Sequence, residues 1–248
     1  MLSIIIPTLN SAKELPATFA SLMPALLEGA ISEVIIVDGG STDDTVEMAD
    51  EAGANIIVAE TKGRGPQLST GANAAKNEWM LFLHSDTELE EGWHLEVMKF
   101  IKSEDQKITE ETTSFHSATQ NNAIQNAAAF KFSLKDKGLA PKILAKMVAL
   151  RCALFSLPYG DQGLLISRQT YDACGGYPHF PIMEDTDIIR RLPSPVKILQ
   201  SRAFTSAEKY QKEGYLKRSV RNLYCLSAYY RGLPPEKIYQ IYTKSSTS

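Results

Sequence analysis

The sequence predicts an α/β domain with a mainly parallel central sheet, flanking helices and a helical C-terminal region. Three observations carry that expectation. Short apolar runs alternate with longer amphipathic stretches from residue 2 to about residue 101, the pattern of strands joined by right-handed helical crossovers. Several of the early apolar runs stop abruptly in a polar, glycine-bearing or acidic turn. The chain is 248 residues long and 44% hydrophobic, enough for one large domain with a substantial core.

Taken in order, Leu2 to Ile6 form a first strand that ends in Pro7-Thr-Leu-Asn-Ser11, and a helix follows from about Lys13 to Glu28. Glu33 to Val37 make a second strand, closed by Asp38-Gly-Gly-Ser-Thr-Asp-Asp44 and a helix through Ala52. Asn55 to Ala59 lead into Lys62-Gly-Arg-Gly-Pro-Gln-Leu68 and a helix to about Asn77. The run Trp79 to Leu83 reads as a strand buried on both faces. It breaks into His84, Ser85, Asp86, Thr87 and Glu88. Three polar loops, 7–11, 38–44 and 84–88, should therefore meet at one sheet edge, where open α/β sheets bind ligands.

After a helix from Glu90 to Ile101, residues 103–126 are polar with little periodicity and read as an inserted loop. Ala127 to Leu134 resume as a strand. Leu139 to Leu157, interrupted by Lys142, Lys146 and Arg151, have the pattern of a helix packed on its own core, with membrane contact a minority reading. Gly160-Asp-Gln162 form a turn before another strand, and Glu184-Asp-Thr-Asp187 open a helix through Arg191. Glu213 to Arg231 read as a docked helix with a solvated basic face.

Composition narrows the partners. Net charge is −3 with no basic block, which argues against nucleic acid. Cys152, Cys174 and Cys225 form no CxxC pair, so neither a disulfide framework nor a zinc site is expected, and a reducing, cytoplasmic setting fits. No apolar run has the length of a bilayer span, so membrane association is at most peripheral.

Three stretches suggest chemistry. A carboxylate at Asp86 suits a hard cation shared with a phosphate, although taken alone the stretch is explained slightly better as a turn followed by a helix N-cap at Asp86 or Thr87. Asp38-Gly-Gly-Ser41 lets a ligand approach the backbone and offers a carboxylate to a base or ribose, while Ser41 or Thr42 could cap the next helix. Glu184, Asp185 and Asp187 crowd three acids into four residues, which calls for a helix N-terminus, a cation or acid–base work. The four histidines have no zinc-ligand spacing and read as packing or surface residues.

Together, Ser3-Ile-Ile-Ile-Pro-Thr-Leu-Asn10, Val34-Ile-Ile-Val-Asp-Gly-Gly-Ser-Thr-Asp43, Leu81-Phe-Leu-His-Ser-Asp86 and Met183-Glu-Asp185 resemble the family 2 glycosyltransferases. These are nucleotide-sugar-dependent enzymes of the GT-A fold. Gly63-Arg-Gly-Pro-Gln-Leu68 and Gly160-Asp-Gln-Gly163 look most like a small bacterial subgroup labelled by association with arsenosugar biosynthesis. The resemblance implies a nucleotide-sugar-binding half over 1–102, the insertion at 103–126 and an acceptor-side half over 127–248, in one domain. It implies donor contacts from Pro7, Thr8, Asn10, Asp38, Gly39, Arg64, Gln67 and Asp86, with Asp86 holding Mg2+ or Mn2+. Asp161, Gln162 and Glu184 fall on the acceptor side, and Asp185 matches the catalytic base of an inverting transfer. The acceptor is an unspecified small molecule, glycan or lipid-linked hydroxyl. His84 stands where many relatives carry the first acid of a D-x-D pair, so metal binding would rest on Asp86 with phosphate and water.

Two other functions compete. A sugar-phosphate nucleotidyltransferase would place its glycine- and arginine-rich loop directly after the first strand, where this chain has Pro7-Thr-Leu-Asn10. A catalytically silent binding protein of the same fold would release neither nucleoside diphosphate nor pyrophosphate.

Overall fold

The computed structural model describes residues 1–113 and 127–244, with side chains described over 1–107 and 127–243. In chain order the strands are β1 (Leu2–Thr8), β2 (Ile31–Asp38), β3 (Asn55–Val58), β4 (Trp79–Phe82), β5 (Thr87–Leu89), β6 (Ala127–Leu134), β7 (Leu164–Ser167) and β8 (Lys197–Thr205). The helices are α1 (Leu15–Leu27), α2 (Thr45–Glu51), α3 (Arg64–Ala74), α4 (Trp93–Thr113), α5 (Leu139–Phe155), α6 (Arg168–Ala173), α7 (Glu184–Arg191), α8 (Glu208–Glu213), α9 (Tyr215–Tyr230) and α10 (Pro235–Lys244).

One eight-stranded sheet runs in the order β3-β2-β1-β4-β7-β6-β8-β5. The first four strands are parallel, as the alternation predicts. Beyond β4 the sheet becomes mixed: β7 pairs antiparallel with β4 and β6, and β5 pairs antiparallel with β8. β1 and β4 are buried along their whole length because apolar layers cover both faces. One layer holds Ile4, Ile6, Leu81, Trp93 and Phe130, and the other Ile5, Val37, Met80, Phe82 and Ile166. Burying several such side chains at ~1.5–3 kcal/mol each fixes the register of these strands.

Four sequence expectations change. Residues 103–113 continue α4 and are not a loop; the stretch Ser103-Glu-Asp-Gln-Lys-Ile-Thr-Glu-Glu-Thr-Thr113 contains no Gly or Pro to stop the helix. Lys107 pairs with Glu104 one turn back, at 2.7 Å. The remainder of the expected insertion, 114–126, lies outside the described residues. Asp86 and Thr87 cap no helix, since Thr87 begins β5 and pairs with Thr205 of β8. Ser41 and Thr42 do not cap α2; Asp43 accepts the Thr45 N–H instead, at 3.2 Å.

The fourth change is in α9, whose basic face turns inward. Arg218 and Arg221 are buried and both pair with Glu213, while Leu216, Val220 and Leu223 are exposed. Among the described residues no helix is long and apolar enough to cross a membrane. The three cysteines are free and buried.

Candidate active site

The carboxyl ends of β1, β2 and β4 are sewn together by their loops. Asn10 N–H donates to Ser41 Oγ at 2.8 Å, and Asn10 Oδ1 accepts from Thr42 N–H at 2.8 Å. Ser11 Oγ lies 2.9 Å from Ser85 Oγ, joining the β1 loop to the β4 loop. The convergence expected of loops 7–11, 38–44 and 84–88 is therefore present.

Asp38 organises this edge. Its Oδ1 accepts from the hydroxyls of Thr8 at 3.0 Å and Ser41 at 2.5 Å, and its Oδ2 from the N–H groups of Gly40 at 2.9 Å and Ser41 at 2.8 Å. Burial raises its pKa, but these donors outweigh burial and hold the carboxyl below the usual 3.8. With four local donors and almost no exposure, Asp38 shapes the loop.

Gln67 is likewise engaged within the sheet edge. Its Nε2 donates to the carbonyls of Thr8 at 2.8 Å and Val37 at 2.7 Å, tying β1 to β2. Gly39 permits this, because a Cβ there would lie 3.1 Å from that Nε2. Pro7 is buried within β1 opposite Val37.

A cleft of about 490 Å3 opens beside these loops, lined by Arg64, His84, Asp86, Tyr159, Asp161 and Asp185 among others. Arg64 enters from the first turn of α3, and its guanidinium is shared three ways. Nε donates to the buried Glu184 carboxylate, Nη2 lies 3.9 Å from Asp185 Oδ2, and Nη1 lies 3.3 Å from His84 Nε2. Glu184, expected on the acceptor side, is fully buried and serves Arg64 instead.

Asp185 lies in the first turn of α7. The cap position belongs to Met183, left-handed at φ 67° and without a side-chain cap bond. Asp185 Oδ1 accepts from Thr186 N–H at 2.7 Å, and Oδ2 accepts from Gly160 N–H at 2.9 Å across the cleft. With Arg64 Nη2 3.9 Å from the same Oδ2, the two halves of the chain meet at this carboxylate. Its neighbour Asp187 is structural, bonded to Arg191 and to the Tyr229 hydroxyl.

Asp161 is half-buried, and its Oδ1 has no hydrogen-bond partner. Burial, reinforced by Asp185 and Asp86 against the pull of Arg151, drives its carboxyl up to about 6. The adjacent Gln162 is a folding residue. Its amide donates to Phe130 O at 2.9 Å and accepts from Tyr159 N–H at 3.3 Å and Arg151 Nη2 at 3.2 Å.

His84 is a cleft residue to which sequence reasoning assigned no ligand role. Burial, with Arg64 and Lys209 nearby, lowers its pKa well below 6.5, so the imidazole is neutral. Gly160 is a second, because a Cβ there would come within 2.8 Å of His84 Nε2 and 3.4 Å of Asp185 Oδ2. Lys209, Tyr210 and Arg218, from α8 and α9, complete the far wall. The position of His84 between two motif residues was the available signal, whereas the α8–α9 wall follows only from packing.

Asp86, half-buried, lines the same cleft, with its carboxylate contacted by the Thr87 hydroxyl at 3.4 Å. Among the described residues no group of three or more His, Cys, Asp or Glu forms a metal cage. The donor set therefore fits Mg2+ or Mn2+ only as an ion shared with a phosphorylated ligand, a mode in which Mg2+ keeps water and takes one or two carboxylates.

The sequence and the fold are similar to those of known proteins. Residues 3–146 match the family described as Glycosyl transferase family 2. A PGL/p-HBAD biosynthesis glycosyltransferase of Mycobacterium bovis is 38% identical over 97 residues, covering 37% of each chain. A glucosyl-3-phosphoglycerate synthase of Mycobacterium tuberculosis is 30% identical over 93 residues, covering 34% of this chain and 28% of that one. This chain thus matches only about a third of the length of these curated relatives. The crystal structure of Staphylococcus aureus TarS 1-349 superposes with a TM-score of 0.62 at 16% identity, over 91% of this chain and 64% of that one. The same TarS fragment, solved in complex with UDP-GlcNAc, gives 0.57 at 17% identity, over 83% and 58%. The fold is GT-A, and the match over more than half of its residues makes this chain a member of glycosyl transferase family 2.

Proposed function

We propose that the protein transfers a sugar from a nucleotide-diphospho-sugar to a hydroxyl acceptor, with inversion at the anomeric carbon. The observation that carries this reading is the meeting of Arg64, Asp86, Asp161 and Asp185 in one cleft at the carboxyl edge of the parallel strands. Family membership supports it, as does the capture of UDP-GlcNAc by a TarS fragment of the same fold.

In this reaction the acceptor oxygen forms a bond to the anomeric carbon as the bond from that carbon to the diphosphate breaks. The leaving diphosphate gains negative charge, and Arg64 is the cation held beside it by Glu184 and Asp185. A divalent ion held by Asp86, when bound, would neutralise further charge on the diphosphate. The acceptor hydroxyl must lose its proton as it attacks, and Asp185 takes it, oriented by the Gly160 and Thr186 N–H groups. Asp161, across the cleft, contacts the acceptor. Neutral His84 fills the place of a second metal-binding acid and braces Arg64. The motif glutamines behind the arsenosugar resemblance, Gln67 and Gln162, are buried folding residues, so the acceptor class stays open to test. Three buried free thiols and a nucleotide-sugar substrate suit the cytoplasm.

A thermal-shift panel of UDP-, GDP- and dTDP-sugars with Mg2+ or Mn2+ tests the donor, because a ligand at a hundredfold its Kd adds about 2.7 kcal/mol. The best donor is then incubated with candidate hydroxyl acceptors. Release of nucleoside diphosphate supports glycosyl transfer. Pyrophosphate would indicate nucleotidyl transfer, and binding with neither product would indicate a silent GT-A protein.

A further inference from the structure

Helix α5 is apolar on two sides. Its inner side, Leu144, Val148 and Cys152, packs with Phe132 and Leu134 of β6. Its outer side carries Leu139, Ile143, Met147, Leu150 and Leu154, each between 57% and 77% exposed among the described residues. At 3.6 residues per turn these five positions fall within about a quarter of the helix circumference. They form one continuous stripe, with Phe155 exposed at its C-terminal end. Apolar side chains scattered over a surface are ordinary, but a contiguous stripe marks an interaction site.

Charge selects the partner. α5 contains Lys142, Lys146 and Arg151 and no acidic residue, in a chain whose net charge is −3. Arg151 turns inward, its Nε 2.9 Å from Leu157 O and its guanidinium 3.4 Å above the Tyr159 ring. Lys142 and Lys146 remain exposed along one flank of the stripe. An antiparallel second copy seated on this face by a two-fold axis across the helix would bring these lysines towards their own images in a desolvating contact. An anionic bilayer accepts both features, because leucine and isoleucine side chains enter the headgroup boundary while lysine stems reach back to lipid phosphates.

We propose that the outer face of α5 docks this protein on an anionic lipid surface. Tyr159, stacked on Arg151 at the end of the helix, lines the candidate active-site cleft with Asp161. The cleft rim at Tyr159 thus follows directly on the C-terminal end of the docked helix. Helix α9 adjoins this region through Tyr215, which packs into the α5 cluster and donates to Asp136 at 2.5 Å. Leu216, Val220 and Leu223 of α9 are exposed as well.

Co-sedimentation with vesicles of phosphatidylcholine, with and without phosphatidylglycerol, tests the proposal. Wild type is expected to pellet with the anionic vesicles and to be released by high salt. The double variant Lys142→Glu/Lys146→Glu should lose roughly tenfold or more in partitioning. Ile143→Glu/Leu150→Glu should lose at least as much while keeping the wild-type melting temperature, since both positions are exposed. Wild type left in the supernatant with either vesicle would overturn the proposal, as would undiminished pelleting of Ile143→Glu/Leu150→Glu. A dimer in analytical ultracentrifugation that this variant dissociates would assign the face to a second copy and overturn it too. The vesicle measurement uses neither donor nor acceptor, so its outcome is independent of the transferase reading.

Discussion

Replacing Asp161 by Asn probes the electrostatics of the cleft without assuming any substrate. Burial lifts the Asp161 carboxyl from 3.8 to about 6, with Asp185 and Asp86 adding to the effect and Arg151 opposing it. In the unfolded chain the group titrates near its ordinary value. Between 3.8 and about 6 the folded protein holds a proton that the unfolded chain has released. Stability therefore falls as pH rises through that window, and the full cost is present above it. At 1.36 kcal/mol per pH unit the ceiling is about 3 kcal/mol. The cleft is open to water and the carboxylate only half-buried, so the expected cost is about 1–2 kcal/mol. Asn keeps the shape and cannot ionise. Urea unfolding in EDTA should show wild type and Asp161→Asn equally stable near about pH 4, and the variant more stable by about 1–2 kcal/mol near about pH 8. A difference that does not vary with pH, or a wild type more stable than the variant at the higher pH, would refute the reasoning.

Four further outcomes are expected. Donor binding measured by calorimetry should weaken when EDTA removes the divalent ion, because Asp86 alone cannot balance a diphosphate; equal affinity with and without chelator contradicts the metal assignment. Asp185→Asn should keep donor affinity, lose no more than about 1 kcal/mol of stability and lose roughly 10² to 10⁴-fold in turnover; turnover within a few-fold of wild type would remove Asp185 as the base. Gly160→Ala should lower turnover with a nearly unchanged melting temperature, because its methyl group would press His84 at the 2.8 Å approach; unaltered kinetics would mean that His84 moves without consequence. Gln67→Leu should destabilise the fold by about 1–3 kcal/mol by orphaning two strand-end carbonyls, and loss of donor affinity in a fully stable variant would show instead that Gln67 touches the donor.

The first half of the fold was legible because buried parallel strands are written as unbroken apolar runs, and the turns after them as polar breaks. β1, β2 and β4 fall within a few residues of their expected limits. Two short-range errors have local causes. Residues 103–113 are polar yet helical, because polarity without Gly or Pro does not stop a helix. β5 is only three residues long and exists because β8 pairs with it from more than a hundred positions away, a partner that no local window contains.

The candidate site divides in the same way. Sequence alone singled out candidate residues at the sheet edge: Arg64, Asp86, Asp161 and Asp185 are polar groups in motif turns, and all four line one cleft. It could not tell a ligand contact from an internal hydrogen bond, since both require a polar side chain beside a glycine-rich turn. The tertiary structure made that distinction by supplying partners distant in sequence. Val37 O and Thr8 O take the amide of Gln67, Phe130 O takes that of Gln162, and Arg64 takes Glu184. It also turned Arg218 and Arg221 inward to Glu213, leaving the apolar side of α9 outside. Periodicity records that a helix has two unlike faces; only packing decides which of them meets the core, because that choice depends on the charges and cavities of elements elsewhere in the chain.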